Sequence, residues 1–128
     1  MATMKPRPGA ATRAKIARDL RSILTGPLFA ALCEPARVAI LEFLTANGRS
    51  DIATIAEQFP QDRSVISRHL AALGAAGLVR REKAGRNVFF EVDGVAAVDQ
   101  LEAILERFRK LVPLCCPPTS RARAGSVS

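Results

Sequence analysis

Apolar side chains recur every three or four residues through the first half of the chain, which is the spacing of helices that bury one face. Residues 12–24 predict an amphipathic helix ended by residues 26–27, and residues 27–33 predict a short apolar helix. A third helix begins at Pro35, with Glu34 at its N-cap or in its first turn, and stops at residues 47–48. The apolar face of the first helix contains Ile16, Leu20, Ile23 and Leu24, and that of the third contains Val38, Ile40, Leu41 and Leu44.

Two more helices and a hairpin follow. Residues 51–59 and 63–75 have helical periodicity and are separated by a tight turn at residues 60–62, where Asp62 can cap the second helix and Gly77 can end it. Residues 78–92 alternate between apolar and polar around Ala84-Gly85, which predicts a β-hairpin. The predicted core residues of the two helices are Ile52, Ile55, Ala56, Phe59, Val65, Ile66, Leu70 and Leu73.

The last apolar stripe predicts a long helix that begins near Gly94. We expect Pro113 to end it near Val112, because proline is disfavoured inside a helix and restricts the residue before it. Its apolar positions are Val95, Val98, Leu101, Ile104, Leu105, Phe108 and Leu111. The predicted organisation is a disordered basic arm at 1–11, one domain at 12–112, a Cys-Cys hook at 113–118 and a disordered tail at 119–128.

Two short helices, a tight turn and a hairpin predict a mainly α fold with a small β-hairpin, the winged helix-turn-helix. The outward side of residues 63–75 is polar except for the small Ala71, and its arginine can donate two bonds to guanine in the major groove. The loop at residues 81–87 is basic and suits a wing lying along the DNA backbone. The predicted DNA-binding residues are Gln61, Arg63, Ser64, Ser67, Arg68, His69, Lys83 and Arg86.

The net charge of +7 is unevenly distributed. Residues 1–21 carry +5 and the tail after Pro118 carries +2, so residues 22–118 are neutral, with eleven basic and eleven acidic side chains. Within them, residues 61–87 carry +4. A neutral domain with one basic stretch and basic arms indicates a polyanion bound on one face, although a solvated charged surface has the same composition.

Length and composition exclude several classes of protein. At 128 residues the chain is one small domain with a marginal core, for which dimerisation is a common remedy. No apolar run is long enough to span a membrane, and no secretory signal is evident. Three cysteines, two of them adjacent, fit a reducing cytoplasm better than a disulfide framework. Nothing resembles a phosphate-binding glycine loop or a nucleophile–base pair, so we expect no enzyme.

The stretches "ALCEPARVAILEFL" and "DRSVISRHLAALGAAGLVRREKAGRNVFFEV" resemble the ArsR/SmtB family of winged-helix repressors over roughly residues 28–92. The resemblance implies a homodimer built on the first and last helices, which binds an inverted repeat in promoter DNA. It also implies release when an inducer, often a metal ion or metalloid, is bound. Two positions depart from the family pattern: Ala36 replaces a usual threonine, and Asp62 stands where a serine usually begins the recognition helix.

Histidine ligands are scarce in this sequence. His69 is the only histidine and lies inside the recognition helix, where we expect it to pack or to form a hydrogen bond. Without a second histidine, Asp93, Asp99 and Glu102 would hold a soft or borderline metal weakly, because such metals prefer nitrogen and sulfur ligands.

Cys115 and Cys116 are therefore the candidate sensing residues. Their Cα atoms are only ~3.8 Å apart, below the usual disulfide range, whereas a thiophilic ion can bridge two adjacent thiolates. Arg107, Arg109 and Lys110 precede them and would favour the thiolate form. They could equally be incidental residues of an apolar tail.

Cys33 has two interpretations. It is buried filler, or, as the resemblance implies for thiol-based relatives, a third thiolate near the last helix. Such a three-sulfur site suits arsenic(III) or antimony(III), and also mercury(II) or lead(II). Two alternatives stay open: a thiol redox or persulfide sensor of the same fold, and a protein-binding winged-helix module without an inducer.

Overall fold

The computed structural model describes residues 9–115, and it confirms a mainly helical winged helix-turn-helix fold with a small antiparallel sheet. The sheet has three strands in the order β1-β3-β2. The elements in chain order are α1 (Ala10–Leu24), α2 (Pro27–Leu32), α3 (Pro35–Asn47), β1 (Ser50–Asp51), α4 (Ile52–Ala56), α5 (Arg63–Ala75), β2 (Val79–Ala84), β3 (Asn87–Val92) and α6 (Gly94–Cys115).

The described part of the chain forms two compact units, residues 26–101 and residues 9–25 with 102–115. The first unit contains α2 to β3 and the start of α6, and its core is apolar and nearly inaccessible to solvent. The buried residues of this core are Leu28, Ala31, Ile40, Leu44, Ile55, Ile66, Leu70, Leu73, Ala76, Leu78, Val79 and Phe90. In the described part of the second unit, Ile23 of α1 and Leu111 of α6 are buried, and Arg107 donates to the Ser22 hydroxyl at 3.4 Å.

Glycines fix two turns that the sequence predicts. Gly77 has a φ of +77°, and the N–H groups of Gly77 and Leu78 donate to the carbonyls of Gly74 and Leu73, which closes the end of α5. Gly85 has a φ of +63° in the turn between β2 and β3. A side chain at either position would force an L-residue into the left-handed region, so the predictions of a helix stop and a hairpin turn are confirmed.

Several predicted boundaries were wrong. Helix α1 begins at Ala10 rather than residue 12, because Ala10 and Ala11 are strong helix formers after the N-cap Gly9. Helix α4 ends at Ala56 rather than residue 59. There the N–H of Phe59 donates to Ala56 in a tighter turn, since the following Pro60 disfavours a helical Phe59.

The end of the last helix was also predicted wrongly. Helix α6 continues through Pro113 to Cys115, so Cys115 is helical and not part of a hook. A proline removes one backbone hydrogen bond and crowds the carbonyl four residues back, and a 22-residue helix retains its other bonds. The side chain of Cys115 and all of Cys116 lie outside the described residues, as do residues 1–8 of the predicted arm at 1–11 and the whole predicted tail at 119–128.

Two further differences concern packing. Val38 was expected in the core, but it is 47% exposed, because it lies two residues from the buried Ile40 and so on the other side of α3. The two-residue strand β1 was not predicted, and it pairs with β3. Within residues 9–115, no helix is both long and apolar enough to cross a membrane.

Candidate DNA interface

Helix α5 presents a polar face because its apolar residues fix its orientation. Ile66, Leu70 and Leu73 recur at helical spacing and are at most 1% exposed. The opposite side is exposed and consists of Arg63, Ser64, Ser67, Arg68 and Ala71. This is the outward face that the sequence predicts, and its arginine and serine side chains are typical of a helix that enters the major groove.

Helices α4 and α5 are capped in different ways. Asp62 occupies the N-cap, where its carbonyl accepts from the N–H groups of Val65 and Ile66 and its side chain makes no capping bond. At the N-cap of α4, Asp51 accepts the N–H of Thr54 at 2.9 Å. Hydrogen bonds from the side chain and the backbone N–H of Thr54 lower the pKa of the Asp51 carboxyl, and the positive charge of Arg63 lowers it further.

His69 lies away from the exposed face. It is half-buried, and its Nδ1 accepts from Nε of Arg37 at 3.2 Å, while Nη1 of Arg37 donates to the Ala30 carbonyl at 3.4 Å. The Arg37 side chain therefore ties α5 to α3 and α2. The expected hydrogen bond is therefore present, and it engages the Nδ1 atom of His69.

Gln61 is only partly accessible to solvent. Its side chain is half-buried, and its amide oxygen is buried without a hydrogen-bond partner in the part of the chain that the structure describes. The remaining predicted contacts on the helix, Arg63, Ser64, Ser67 and Arg68, are all exposed.

The hairpin has two chemically different faces. Its register pairs Val79 with Val92, Arg81 with Phe90, and Lys83 with Val88. Because side chains alternate along a strand, Arg81 and Lys83 share a face with the buried Phe90, whereas Glu82 lies on the outer face. Arg81 was not among the predicted DNA-binding residues. Its two-residue spacing from Lys83 is the sequence signal that places the two side chains on the same face of β2.

Ion pairs neutralise the acids of the hairpin and its base. Nη2 of Arg80 lies 2.6 Å from the Glu91 carboxylate, and its Nη1 lies 3.8 Å from Asp93, and the hydrogen bond to Glu91 raises the pKa of Arg80. Nη2 of Arg49 lies 2.9 Å from the Glu82 carboxylate. The two carboxylates of the hairpin, Glu82 and Glu91, are therefore paired with Arg49 and Arg80.

The positive charge of the unit 26–101 that has no ion pair or hydrogen bond among the described groups is concentrated on α5 and on the hairpin of β2 and β3, which we call the wing. The unit has eight basic and nine acidic residues, so it is not a positive body overall. Three of its basic side chains, Arg37, Arg49 and Arg80, are engaged in the contacts given above. Among the described groups, the basic side chains of this unit without an ion pair or hydrogen bond are Arg63, Arg68, Arg81, Lys83 and Arg86.

Comparison with known proteins gives the family. The HVO_A0114 family model matches residues 32–97. The HTH-type transcriptional regulator MJ1325 of Methanocaldococcus jannaschii is 34% identical over 67 residues, which cover 52% of this chain and 75% of the relative.

Solved structures agree. A possible transcriptional regulator for arsenical resistance is 31% identical, with a TM-score of 0.54 over 80% of this chain and 97% of that one. An ArsR-like transcriptional regulator from Rhodococcus sp. RHA1 is 28% identical, with a TM-score of 0.55 over 82% of this chain and 93% of that one. The chain belongs to the HVO_A0114 family and is an ArsR-type DNA-binding transcriptional regulator.

The cysteines of this ArsR-type regulator are divided between its units. Cys33 caps the end of α2 in the unit 26–101 and is exposed, so the interpretation of Cys33 as buried filler is wrong. Cys115 lies in the last turn of α6, in the other unit. Among the described side chains, no three of the histidine, cysteine, aspartate and glutamate groups gather into a metal site.

Proposed function

We propose that this regulator is a repressor that places α5 in the major groove of promoter DNA and its wing along the adjacent backbone. The observation that carries the proposal is the confinement of unpaired positive charge in residues 26–101 to these two elements. Arginine can pair with both acceptors of guanine, and serine can donate to phosphate. The small side chain of Ala71 allows the helix to approach the bases closely.

The wing supplies the first test. Lys83→Ala should weaken binding to specific and unrelated DNA alike, because a phosphate contact carries no sequence information. The slope of log K against log salt should fall by about 0.9, the contribution of one phosphate contact. Fluorescence anisotropy titrations between low and moderate salt measure both quantities.

Lys15→Ala is the matched control, since it removes the same charge from α1 at an exposed side chain paired with Asp19. It should leave the slope unchanged. A slope for Lys83→Ala equal to that of the wild type would contradict a wing on the DNA backbone. Absence of any salt-sensitive DNA binding by the wild type would instead favour the protein-binding module.

The repressor is proposed to act as a homodimer. Helix α6 exposes Val98, Leu101, Leu105 and Val112, and Phe108 on the same stripe is half-buried. These positions alternate spacings of three and four residues, which is the seam of two helices packed side by side. Leu20 of α1 is also 36% exposed, so apolar side chains of both predicted dimerisation helices are open to solvent in the single chain.

The proposed inducer is arsenic(III) or antimony(III) bound by Cys115 and Cys116, with Cys33 as a candidate third ligand. Support comes from the exposed Cys33 thiol, from the position of Cys115 within α6, and from the arsenical-resistance regulator to which the chain is similar. Arsenous acid exchanges its hydroxyl groups for thiol sulfurs and releases water, and this exchange needs no histidine. Because Cys115 belongs to the proposed dimer helix, binding there can favour a dimer geometry that fits DNA poorly.

Inducer release gives the second test. Arsenite should lower the affinity for operator DNA by about a hundredfold or more, which corresponds to a coupling free energy of ~3 kcal/mol. Cys115→Ser/Cys116→Ser should bind DNA as the wild type does and ignore arsenite and antimonite, while Cys33→Ser reports whether a third sulfur contributes. The measurement is anisotropy of a preformed complex titrated with each ion under reducing conditions.

Two results separate the alternatives. If the double serine variant still leaves DNA when arsenite is added, the proposed ligands are wrong. If the reduced wild type ignores all thiophilic ions but dissociates with peroxide or persulfide, the redox sensor replaces the metalloid sensor.

A further inference from the structure

Arg49 lies between α3 and β1 and contacts the other two strands of the sheet. Its guanidinium carbon is 4.2 Å from the centroid of the Phe89 ring in β3. Its Nη2 is 2.9 Å from a carboxylate oxygen of Glu82 in β2. The side chain of Arg49, the residue before β1, therefore contacts both strands of the wing, β2 and β3.

The backbone beside Arg49 is well anchored. Ser50 is only 8% exposed, its hydroxyl donates to the Gly48 carbonyl at 2.9 Å, and its Cα is paired with that of Phe90. Asp51 is paired with Phe89 and caps α4. The guanidinium of Arg49 consequently extends from a fixed point, so its two contacts limit how far the hairpin can tilt.

The contact lies on the outer face of the sheet. Phe89 is paired with Glu82 and with Asp51, and all three residues alternate with residues of the core face. Arg81 and Lys83 are on the core face of β2, on either side of Glu82 in the sequence. Arg49 therefore holds the wing from the side opposite to that of the unpaired Arg81 and Lys83.

The charge of Glu82 makes this contact matter for DNA. Glu82 lies between Arg81 and Lys83 in the sequence but on the opposite face, so an unpaired carboxylate there would lower the positive potential of the wing and weaken its attraction for phosphate. Arg80 is already bound to Glu91, so Arg49 is the cation paired with Glu82 among the described residues.

We propose that Arg49 is a positioning residue for DNA binding, which fixes the tilt of the wing and neutralises Glu82 without itself contacting DNA. The inference rests on the proposed function, since it requires that the wing contacts phosphate. It assigns a role to a residue outside both the recognition helix and the wing.

A double-mutant cycle tests it. Arg49→Gln should bind operator DNA about three- to tenfold more weakly, because one ion pair and one cation–π contact are lost. Glu82→Gln should strengthen binding more in the Arg49→Gln background than in the wild type, where the carboxylate is already neutralised. Arg49→Lys, which keeps the charge, should retain most of the affinity.

Hydrogen exchange of the free protein provides a readout that a direct DNA contact would not change. Backbone amides of β2 and β3 should exchange faster in Arg49→Gln than in the wild type or in Lys83→Ala. Circular dichroism verifies folding, and if Arg49→Gln does not fold, Arg49→Met, which removes the charge and keeps a long side chain, takes its place in the cycle.

Additive effects of Arg49→Gln and Glu82→Gln, with unchanged exchange in the hairpin, would overturn the positioning role and make Arg49 a direct contact or a bystander. The two proposals fail differently. If Lys83→Ala leaves the salt slope unchanged, the wing itself is not on DNA. If Lys83→Ala lowers the slope while the cycle is additive, the wing assignment stands and only the role of Arg49 is overturned.

Discussion

Arg63→Ala/Arg68→Ala is expected to bind the DNA upstream of its own gene about a hundredfold more weakly than the wild type, or worse, since each base-contacting arginine contributes about 1–3 kcal/mol of specific binding. Both side chains are exposed on the outward face of α5 and make no ion pair within the described chain. Binding to unrelated DNA should fall much less, because Arg81, Lys83 and Arg86 remain. Specificity should therefore be lost along with affinity.

The measurement is a competition titration against specific and unrelated duplexes at one fixed salt concentration. Lys15→Ala/Arg109→Ala is the control, because it removes two positive charges from exposed positions on α1 and α6. Undiminished specific binding by Arg63→Ala/Arg68→Ala would show that α5 does not read the bases. Equal losses from the control would show that net charge, not the helix face, determines binding.

Disruption of the α6 stripe should have an effect of similar size. Leu101 is 52% exposed and Leu105 is 48% exposed, and Leu101→Glu/Leu105→Glu would place like charges on both sides of the proposed seam. We expect a monomer. Its operator affinity should fall by about a hundredfold or more, because two linked half-site contacts bind far more tightly than one.

Sedimentation velocity at micromolar concentration measures the assembly, and the same anisotropy titration measures the affinity. Glu102→Ala on the exposed surface of the same helix is the control and should remain dimeric. A wild-type protein that sediments as a monomer and yet has full operator affinity would contradict the homodimer.

Helix α5 was predictable because its signals are local. Asp62 begins α5, Gly77 ends it, and the helical spacing of Ile66, Leu70 and Leu73 determines which side is exposed. The hairpin follows similarly from strand alternation around Gly85. Each of these features depends on residues that are close together in the sequence.

Features that depend on distant residues were not predictable. The partner of His69 is Arg37, 32 residues away, and the partner of Glu82 is Arg49, so neither contact leaves a periodic signal. Strand β1 has two residues, which is too short for alternation to be read. The exposure of Cys33 likewise depends on how α2 and α3 pack, and the sequence around it allowed both interpretations.

Pro113 and Pro60 affect their helices in ways that the apolar pattern does not predict. Pro113 does not end α6, because the rest of a long helix supports the turn that contains it. Pro60 does shorten α4, through its effect on Phe59, and the apolar pattern at residues 51–59 concealed this. Because α6 continues past Pro113, Cys115 belongs to the proposed dimer helix and not to a separate hook.

Selection of binding sites from a random pool of duplexes tests the central claim most directly. A two-fold dimer that reads DNA with α5 and the wing should enrich an inverted repeat whose half-sites are about one helical turn, or 10–10.5 base pairs, apart, or a multiple of that spacing. Arg63→Ala/Arg68→Ala should enrich no sequence under the same conditions. Enrichment of a single unpaired half-site by the wild type, or of no sequence at all, would contradict the account.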